Sequence, residues 1–219
     1  MRRSGDELSF LLTASQRGWD WGPILNTCGP WRPVYLEIHR ARLSNLRIDY
    51  ELLGHDLFDA VGTISVEIAQ LPSDGTGFVE FLVEKGQHVA LKETVDLAHS
   101  RDRDIVRVDL RIKKPNLWYP YSLGGQTLYT VTATLCSSNG QDQHKLSRGV
   151  GFRKAELIQQ ADEAGKSFYF RINNTDIFAG GSNWIPADCF IPRISKERYR
   201  KWLEIVKEGG QHMIRYGIL

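Results

Sequence analysis

The sequence predicts a mainly β protein, in which an antiparallel, immunoglobulin-like β-sandwich is followed by the beginning of a parallel α/β unit. Two observations lead to this prediction. Short runs rich in Val, Ile, Thr, Phe and Tyr recur at intervals of about ten residues as far as residue 150, with turn-forming residues between them. Helical spacing of apolar residues begins only after residue 195, and another apolar run follows it directly. The 219 residues have room for one large domain or two smaller ones.

The strands of the predicted sandwich alternate between apolar and polar residues, as one buried and one solvated sheet face require. Turn-forming stretches at residues 72–75 and 137–140 separate some of them. Seven or so strands in about 110 residues are typical of an immunoglobulin-like sandwich. The clearest alternating runs are residues 34–38, 63–68, 78–83, 105–112 and 128–135.

The pattern changes after residue 155. A predicted strand at residues 168–172 and a short apolar run at residues 177–178 lead to Gly180 and Gly181. Ser195 is a plausible N-cap for a helix that stops at Gly209, and residues 213–215 are again apolar and strand-like. Strand, helix and strand in this order predict a parallel α/β unit.

Composition and charge exclude several classes of protein. Lys and Arg number 28 against 26 Asp and Glu, and no long basic run offers the stripe of positive charge that a nucleic acid binder needs. No apolar run approaches the roughly 20 residues that cross a membrane, and no apolar signal segment follows the first residues, so we expect a cytoplasmic protein. Three isolated cysteines and scattered histidines predict neither a metal site nor a cofactor. The glycosylation acceptor pattern at Asn173 matters only if the chain is exported.

Trp19, Asp20 and Trp21 place a carboxylate between two indoles in a loop-like stretch. In one interpretation the tryptophans plug the end of the sandwich and Asp20 caps a turn. In the other, the cluster is a sugar site, because a pyranose packs its C–H face on an indole and donates hydroxyl hydrogen bonds to a carboxylate.

A second cluster, residues 180–188, contains Trp184 and Asp188 and follows the predicted strand at residues 177–178. Active sites of parallel α/β barrels lie on loops after the strands, so this stretch is predicted to be a functional loop. The alternative is a simple connection with Trp184 as packing. Arg215, at the end of the last predicted strand, is equally suited to a salt bridge. No glutamate stands out as a catalytic acid.

Several of these motifs together resemble the β-mannosidases of glycoside hydrolase family 2. The most specific match is residues 181–188, with the sequence Gly-Ser-Asn-Trp-Ile-Pro-Ala-Asp. The wording of residues 190–194 is similar to the fungal intracellular branch of that family. Supporting matches lie at residues 19–23, 29–34, 115–120, 126–129 and 151–153.

The resemblance implies a division of the chain into three parts. Residues 1–41 would be the last strands of a jelly-roll sugar-binding domain, and residues 42–155 an immunoglobulin-like sandwich. Residues 156–219 would be the first βαβ unit of a truncated (β/α)₈ catalytic barrel. The whole enzyme would remove terminal β-linked mannose with retention, and its ligand would be a β-mannoside or manno-oligosaccharide.

The resemblance also implies roles for single residues. Asp20 would bind sugar hydroxyls, Trp19 and Trp21 would shape the mannose pocket, and Trp184 and Asp188 would line it. Arg215 matches an arginine that lies near the nucleophile in this family. Both catalytic glutamates of the family fall outside these 219 residues, so no catalytic residue is assigned and the chain alone is expected to be inactive.

Two rival functions remain at this stage. The chain could be a non-catalytic carbohydrate-binding or scaffolding protein whose sandwich is the functional unit. It could also be an enzyme of family 2 with a related activity, such as a β-galactosidase or a β-glucuronidase. The sequences of residues 19–21 and 183–188 disfavour this alternative. The sequence does not determine the oligomeric state.

Overall fold

The computed structural model describes residues 30, 33–39, 41–57, 59–70, 76–99, 104–163, 165–185, 187–188 and 190–216. Within these residues the protein is mainly β, with fourteen strands and one α-helix. The clusters around Asp20 and the turn predicted at residues 72–75 lie outside the described residues. Contacts divide the chain into two compact units, of which one is residues 37–177. Among the described residues, 178–216 and those up to Leu36 belong to the other unit.

The elements follow one another along the chain as fourteen strands interrupted once by a helix. They are β1 (Arg42–Leu53), β2 (Asp59–Gln70), β3 (Phe78–Lys85), β4 (His88–Asp96), β5 (Ile105–Lys113), β6 (Tyr129–Cys136), β7 (Asp142–Val150), β8 (Ala155–Ile158), β9 (Ala161–Asp162), β10 (Gly165–Lys166), β11 (Tyr169–Ile172), β12 (Thr175–Ile177), β13 (Gly181–Trp184), α1 (Lys196–Glu208) and β14 (Met213–Tyr216).

The first seven strands form a sandwich of two antiparallel sheets. One sheet has the order β1-β2-β5 and the other the order β4-β3-β6-β7. Side chains from both sheets belong to one hydrophobic core. Alternation in β3 buries Val79, Phe81 and Val83 completely, which explains why this run is a strand with one face inward. The predicted strands at residues 63–68, 78–83, 105–112 and 128–135 are confirmed in β2, β3, β5 and β6.

The strand predicted at residues 34–38 is not formed. Residues 33–39 have no strand structure, and Val34, Leu36 and Ile38 are more than four-fifths exposed. An alternating pattern states which face a strand would bury, but a strand also needs a hydrogen-bonding neighbour. No described strand pairs with these residues.

Phe152 closes one end of the sandwich core. Its fully buried ring lies edge-on to Tyr50, at 4.9 Å between centroids, and to Tyr129, at 5.0 Å. The Tyr50 hydroxyl donates to the Gly151 carbonyl at 3.0 Å and accepts from the Arg153 amide at 3.1 Å. The segment that leaves the last strand of the sandwich is therefore held by both packing and hydrogen bonds.

A small sheet in the order β12-β11-β8 follows the sandwich within the same compact unit. Asn173, in the turn between β11 and β12, connects it to the preceding chain. Its side chain donates to the Trp118 carbonyl at 3.0 Å and accepts from the Lys154 amide at 2.9 Å. The positive φ of 48° at this residue is a conformation that asparagine tolerates well.

The second unit contains a parallel strand pair, β13 and β14, connected through α1. The predicted helix is confirmed, with Ser195 as N-cap accepting from the Arg198 amide at 3.2 Å and Gly209 at the C-terminal end. No helix in the described part of the chain combines the length and apolar character that crossing a membrane needs.

Candidate functional site

The candidate site described by the structure is the C-terminal half of the parallel pair and the loop after β13. Gly181 brings the two strands together: a Cβ built on it would lie 1.7 Å from the Met213 carbonyl oxygen. The Gly180 carbonyl accepts from the amides of His212 and Met213, at 2.8 and 3.2 Å. This pairing sets a register in which Asn183 lies beside Arg215, and Trp184 beside Tyr216.

Residues 181–184 are a strand, so the prediction that the whole stretch 180–188 is a loop is wrong. The sequence predicted the first strand of the parallel unit at residues 177–178, one apolar run before the strand that the structure forms. In the structure Ile177 ends β12, which pairs antiparallel with β11, and β13 starts four residues later. The polar residues Gly-Ser-Asn lack the pattern of a strand. They form β13 because they pair with the parallel strand β14.

Trp184 packs against the helix. Its ring stacks on Tyr199 at 6.1 Å between centroids with 29° between the planes, and it meets Trp202 at 5.7 Å. Tyr199 and Trp202 lie edge to face at 6.3 Å, and the Arg198 guanidinium lies 4.9 Å above Trp202. The indole is half-buried in this aromatic cluster, which fastens α1 to β13.

Asp188 shapes the loop between β13 and α1. Its Oδ1 accepts from the Phe190 amide at 2.8 Å, an Asx-type turn that makes the chain change direction. A short 3₁₀ turn, Ile191–Arg193, follows, and the Arg193 guanidinium lies 4.7 Å above the Phe190 ring. The carboxylate is half-buried, and among the described residues no hydrogen bond ends on its Oδ2.

Arg215 lies on the other face of the parallel pair from Trp184. Successive side chains of a strand point to opposite faces, so the helix contact of Trp184 turns Asn183 away from α1. Arg215 shares the register position of Asn183 and therefore its face, and both residues are exposed. The structure thus brings Asn183 and Arg215 together and separates Trp184 from them.

Asn183 is the site residue that sequence reasoning missed. It belongs to the quoted motif, but no role was assigned to it. A detectable signal existed: if Trp184 packs on the helix, the alternation of a strand places the preceding residue on the opposite face. Trp19, Asp20 and Trp21, the remaining predicted ligands, lie outside the described residues.

The N-cap of α1 also stabilises the negative charge of Glu197 in the first turn. The pKa of Glu197 lies below its ordinary value, because its carboxylate accepts hydrogen bonds from its own backbone N–H and from the Ser195 side chain. The described residues contain no group of three His, Cys, Asp or Glu side chains placed to hold a metal ion.

Comparison with known proteins adds a family. Residues 41–153 match the model of the glycosyl hydrolases family 2. The chain is 46% identical over 202 residues to β-mannosidase B of Thermothelomyces thermophilus, a match that covers 90% of this chain and 22% of that protein. It is 42% identical over 215 residues to β-mannosidase B of Aspergillus clavatus, covering 97% of this chain and 25% of that protein.

Solved structures with a similar fold include another β-mannosidase. The β-D-mannosidase of Dictyoglomus thermophilum superposes with a TM-score of 0.82 at 36% identity, over 97% of this chain and 26% of its own. The β-glucuronidase of Parabacteroides merdae, with a TM-score of 0.64 and 17% identity over 81% of this chain and 21% of its own, shows the fold alone. The chain spans about a quarter of the length of its curated relatives. Because the family model covers more than half of its residues, the chain belongs to the glycosyl hydrolases of family 2.

Proposed function

We propose that these residues are part of a retaining β-mannosidase that removes terminal, non-reducing β-D-mannose. One observation supports this activity above the others of the family. The relatives that match 90–97% of the chain at 42–46% identity are named β-mannosidase B, whereas the β-glucuronidase structure shares only 17% identity.

In this proposal each part of the fold corresponds to a domain of the whole enzyme. The sandwich is immunoglobulin-like, which its seven antiparallel strands in sheets of three and four support. The parallel pair with α1 between its strands is the first unit of a (β/α)₈ barrel, since parallel strands joined by a helix are the repeating unit of that architecture. Residues 1–41 belong to a jelly-roll domain, with the sandwich at residues 42–155 and the barrel start at residues 156–219.

The two faces of the parallel pair would have different tasks. In a barrel the helices lie outside, so the face of Asn183 and Arg215 would point to the interior and its carboxyl-terminal mouth. Arg215 would then lie near the nucleophile, and Asp188 would border the pocket from its loop. Trp184 would act through α1, which it fastens, rather than by touching mannose. Trp19, Asp20 and Trp21 would complete the mannose subsite.

The chain by itself would not hydrolyse glycosides. Retention needs an acid/base and a nucleophile carboxyl about 5 to 5.5 Å apart across the sugar, and the family's two glutamates are not among these residues. Purified chain should release no nitrophenol from an aryl β-mannoside above background. Release above background by material free of host glycosidase would contradict this.

A chimeric enzyme tests the activity directly. This chain would replace the matching quarter of the Thermothelomyces thermophilus enzyme, and kcat/KM would be compared for aryl β-mannoside, β-glucoside and β-glucuronide. We expect preference for the mannoside, and a loss of at least about a hundredfold in kcat/KM for Arg215→Ala. Arg111→Ala, which removes an exposed arginine of β5 that pairs with Asp59 at 3.7 Å, is the matched control and should change kcat/KM by less than about threefold.

Sugar binding by the isolated chain separates the proposal from a lectin. A subsite without its barrel walls should bind mannose more weakly than about 1 mM in titration calorimetry, whereas micromolar binding would favour the carbohydrate-binding alternative. The cytoplasmic location expected from the sequence stays a prediction, which fractionation of the source cells would check.

A further inference from the structure

A cleft on the sandwich has no role in the proposed hydrolysis. It runs between β1 and β7, the strands that form the adjacent edges of the two sheets, and has a volume of about 440 Å³. Its lining belongs entirely to the unit of residues 37–177. We call it the arginine cleft, after Arg47, Arg148 and Arg153, which line it.

Positive charge dominates this cleft. Three arginines and one carboxylate line it, and that carboxylate, Asp49, pairs with Arg47 at 2.7 Å. Among the described residues, neither Arg148 nor Arg153 forms an ion pair. Two permanent positive charges therefore remain uncompensated at one site.

Both of these arginines are held in place without a carboxylate. Arg148 reaches across from β7 and donates one N–H of Nη1 to the Leu46 carbonyl at 3.2 Å. Arg153 donates to the Gly151 carbonyl at 3.2 Å, and its guanidinium lies 4.9 Å above the Trp118 ring. A guanidinium has five N–H donors in a planar fork, so each group keeps most of its donors for a ligand.

Two of its lining residues, Gly149 and Gly151, have no side chain that would fill the cleft. The volume is larger than a single small ion needs and lies within the range of small-molecule sites, about 300 to 1,000 Å³. The ligand should therefore combine an anionic group with a compact polar body.

We propose that the arginine cleft binds the phosphate group of a small phosphorylated molecule. Arg forks match the tetrahedral oxyanion bidentately, and two anchored forks lose little side-chain entropy on binding. This inference does not rest on the proposed glycosidase activity, because the site lies within the sandwich.

The experiment titrates the full 219-residue chain with inorganic phosphate and with a hexose 6-phosphate, at constant ionic strength kept with sodium chloride. Amide chemical shifts of β1 and β7 are the readout. We expect saturable shifts in these two strands with half-saturation of about 1 to 10 mM for phosphate, and equal or tighter binding of the hexose phosphate.

Matched variants locate the effect. Arg148→Gln and Arg153→Gln each remove one of the two guanidinium groups that form no ion pair among the described residues, and each should weaken binding about tenfold. Arg111→Gln removes the same charge from β5, where the arginine pairs with Asp59 at 3.7 Å, and should leave binding unchanged within about twofold.

Three results would overturn the proposal: no saturable shift up to about 50 mM phosphate, the same shifts with chloride alone, or equal weakening by Arg111→Gln and Arg148→Gln. The spectrum of each variant without ligand shows whether the fold is intact. Arg153→Gln keeps the test valid if Arg148→Gln loses its contact to Leu46 and unfolds.

Discussion

The side chain of Asn173 holds the fold together by hydrogen bonds, in a position that hinders the glycosylation its sequence pattern permits. It is buried, with 6% of its surface exposed, and its amide oxygen and amide nitrogen both form hydrogen bonds to backbone groups. A glycan on this amide nitrogen would have to displace the packing that buries the side chain. The sequence pattern alone could not reveal this, because burial is a tertiary property.

Replacing Asn173 should destabilise the protein strongly. Asn173→Leu leaves the Lys154 amide and the Trp118 carbonyl without their partner and places a branched side chain at positive φ, so we expect a loss of about 3 kcal/mol in the free energy of unfolding. Urea denaturation measures it. The control Asn116→Ala, at an exposed residue, should cost less than about 0.5 kcal/mol. Equal costs for both variants would contradict the role of Asn173.

His144 makes stability depend on pH. It lies on β7, and its Nδ1 accepts from the Leu43 amide of β1 at 3.3 Å, so it must be neutral at this atom to hold the contact. Its pKa lies below the ordinary 6.5, first because of desolvation and then because of the nearby positive charges of Arg42 and His39, while Glu37 opposes the shift.

The sign of the effect follows from linkage. As the pH falls through 6.5, the unfolded chain takes up the proton of His144 before the folded chain does, so the free energy of unfolding decreases on acidification. Urea denaturation at about pH 7.5 and pH 5.5 should show a larger loss for the native chain than for His144→Gln. The same loss in both proteins would rule out His144 as the cause.

At the scale of elements, the helix α1 and the strand β13 depend on each other. The strand has a polar sequence and gains its pairing from β14, while the helix has no fully buried residue and gains its packing from Trp184. Short helices are marginal in water unless such a face is covered. The motif that resembles a functional loop is thus also a structural element.

Trp184 therefore has a testable structural role. Trp184→Ala should lower the local stability of residues 196–208 by about 2 kcal/mol, because both ring contacts are lost. Trp184→Phe keeps an aromatic ring and should lower this stability less. Hydrogen exchange of α1 measures this. Unchanged exchange in Trp184→Ala would mean that the indole does not hold the helix.

At the scale of the molecule, the compact unit of the sandwich extends further than the sequence indicated. The contacts place residues 37–177 in one unit, whereas the resemblance put a boundary at residue 155. The small sheet β12-β11-β8 explains the extension, since Asn173 and Asn174 attach it through Trp118, Lys154 and His55. The boundaries 42–155 and 156–219 stay predictions for the evolutionary domains.

Limited proteolysis distinguishes the two boundaries. We expect a resistant fragment that retains residues 41–177, because buried apolar contacts and hydrogen bonds protect it from Ala41 to β12. Intact-mass measurement identifies its ends. A resistant core that ends near residue 155 would show that the small sheet opens independently.

Patterns of neighbouring residues were sufficient for part of this protein. Alternation located β2, β3, β5 and β6, and the cap residues Ser195 and Gly209 located α1, since these signals are local consequences of burial and backbone chemistry. The motif of residues 181–188 was sufficient to indicate the family that the comparisons show.

The rest depends on which strands become neighbours. The same alternating pattern gives no strand at residues 34–38, whereas a polar run gives β13, because hydrogen-bonded pairing rather than composition decides both cases. Sequence alone named Trp184, Asp188 and Arg215 as candidates; only the register of two parallel strands placed Arg215 with Asn183 and turned Trp184 toward the helix. Face and partner are properties of the assembled sheet, and no single strand contains them.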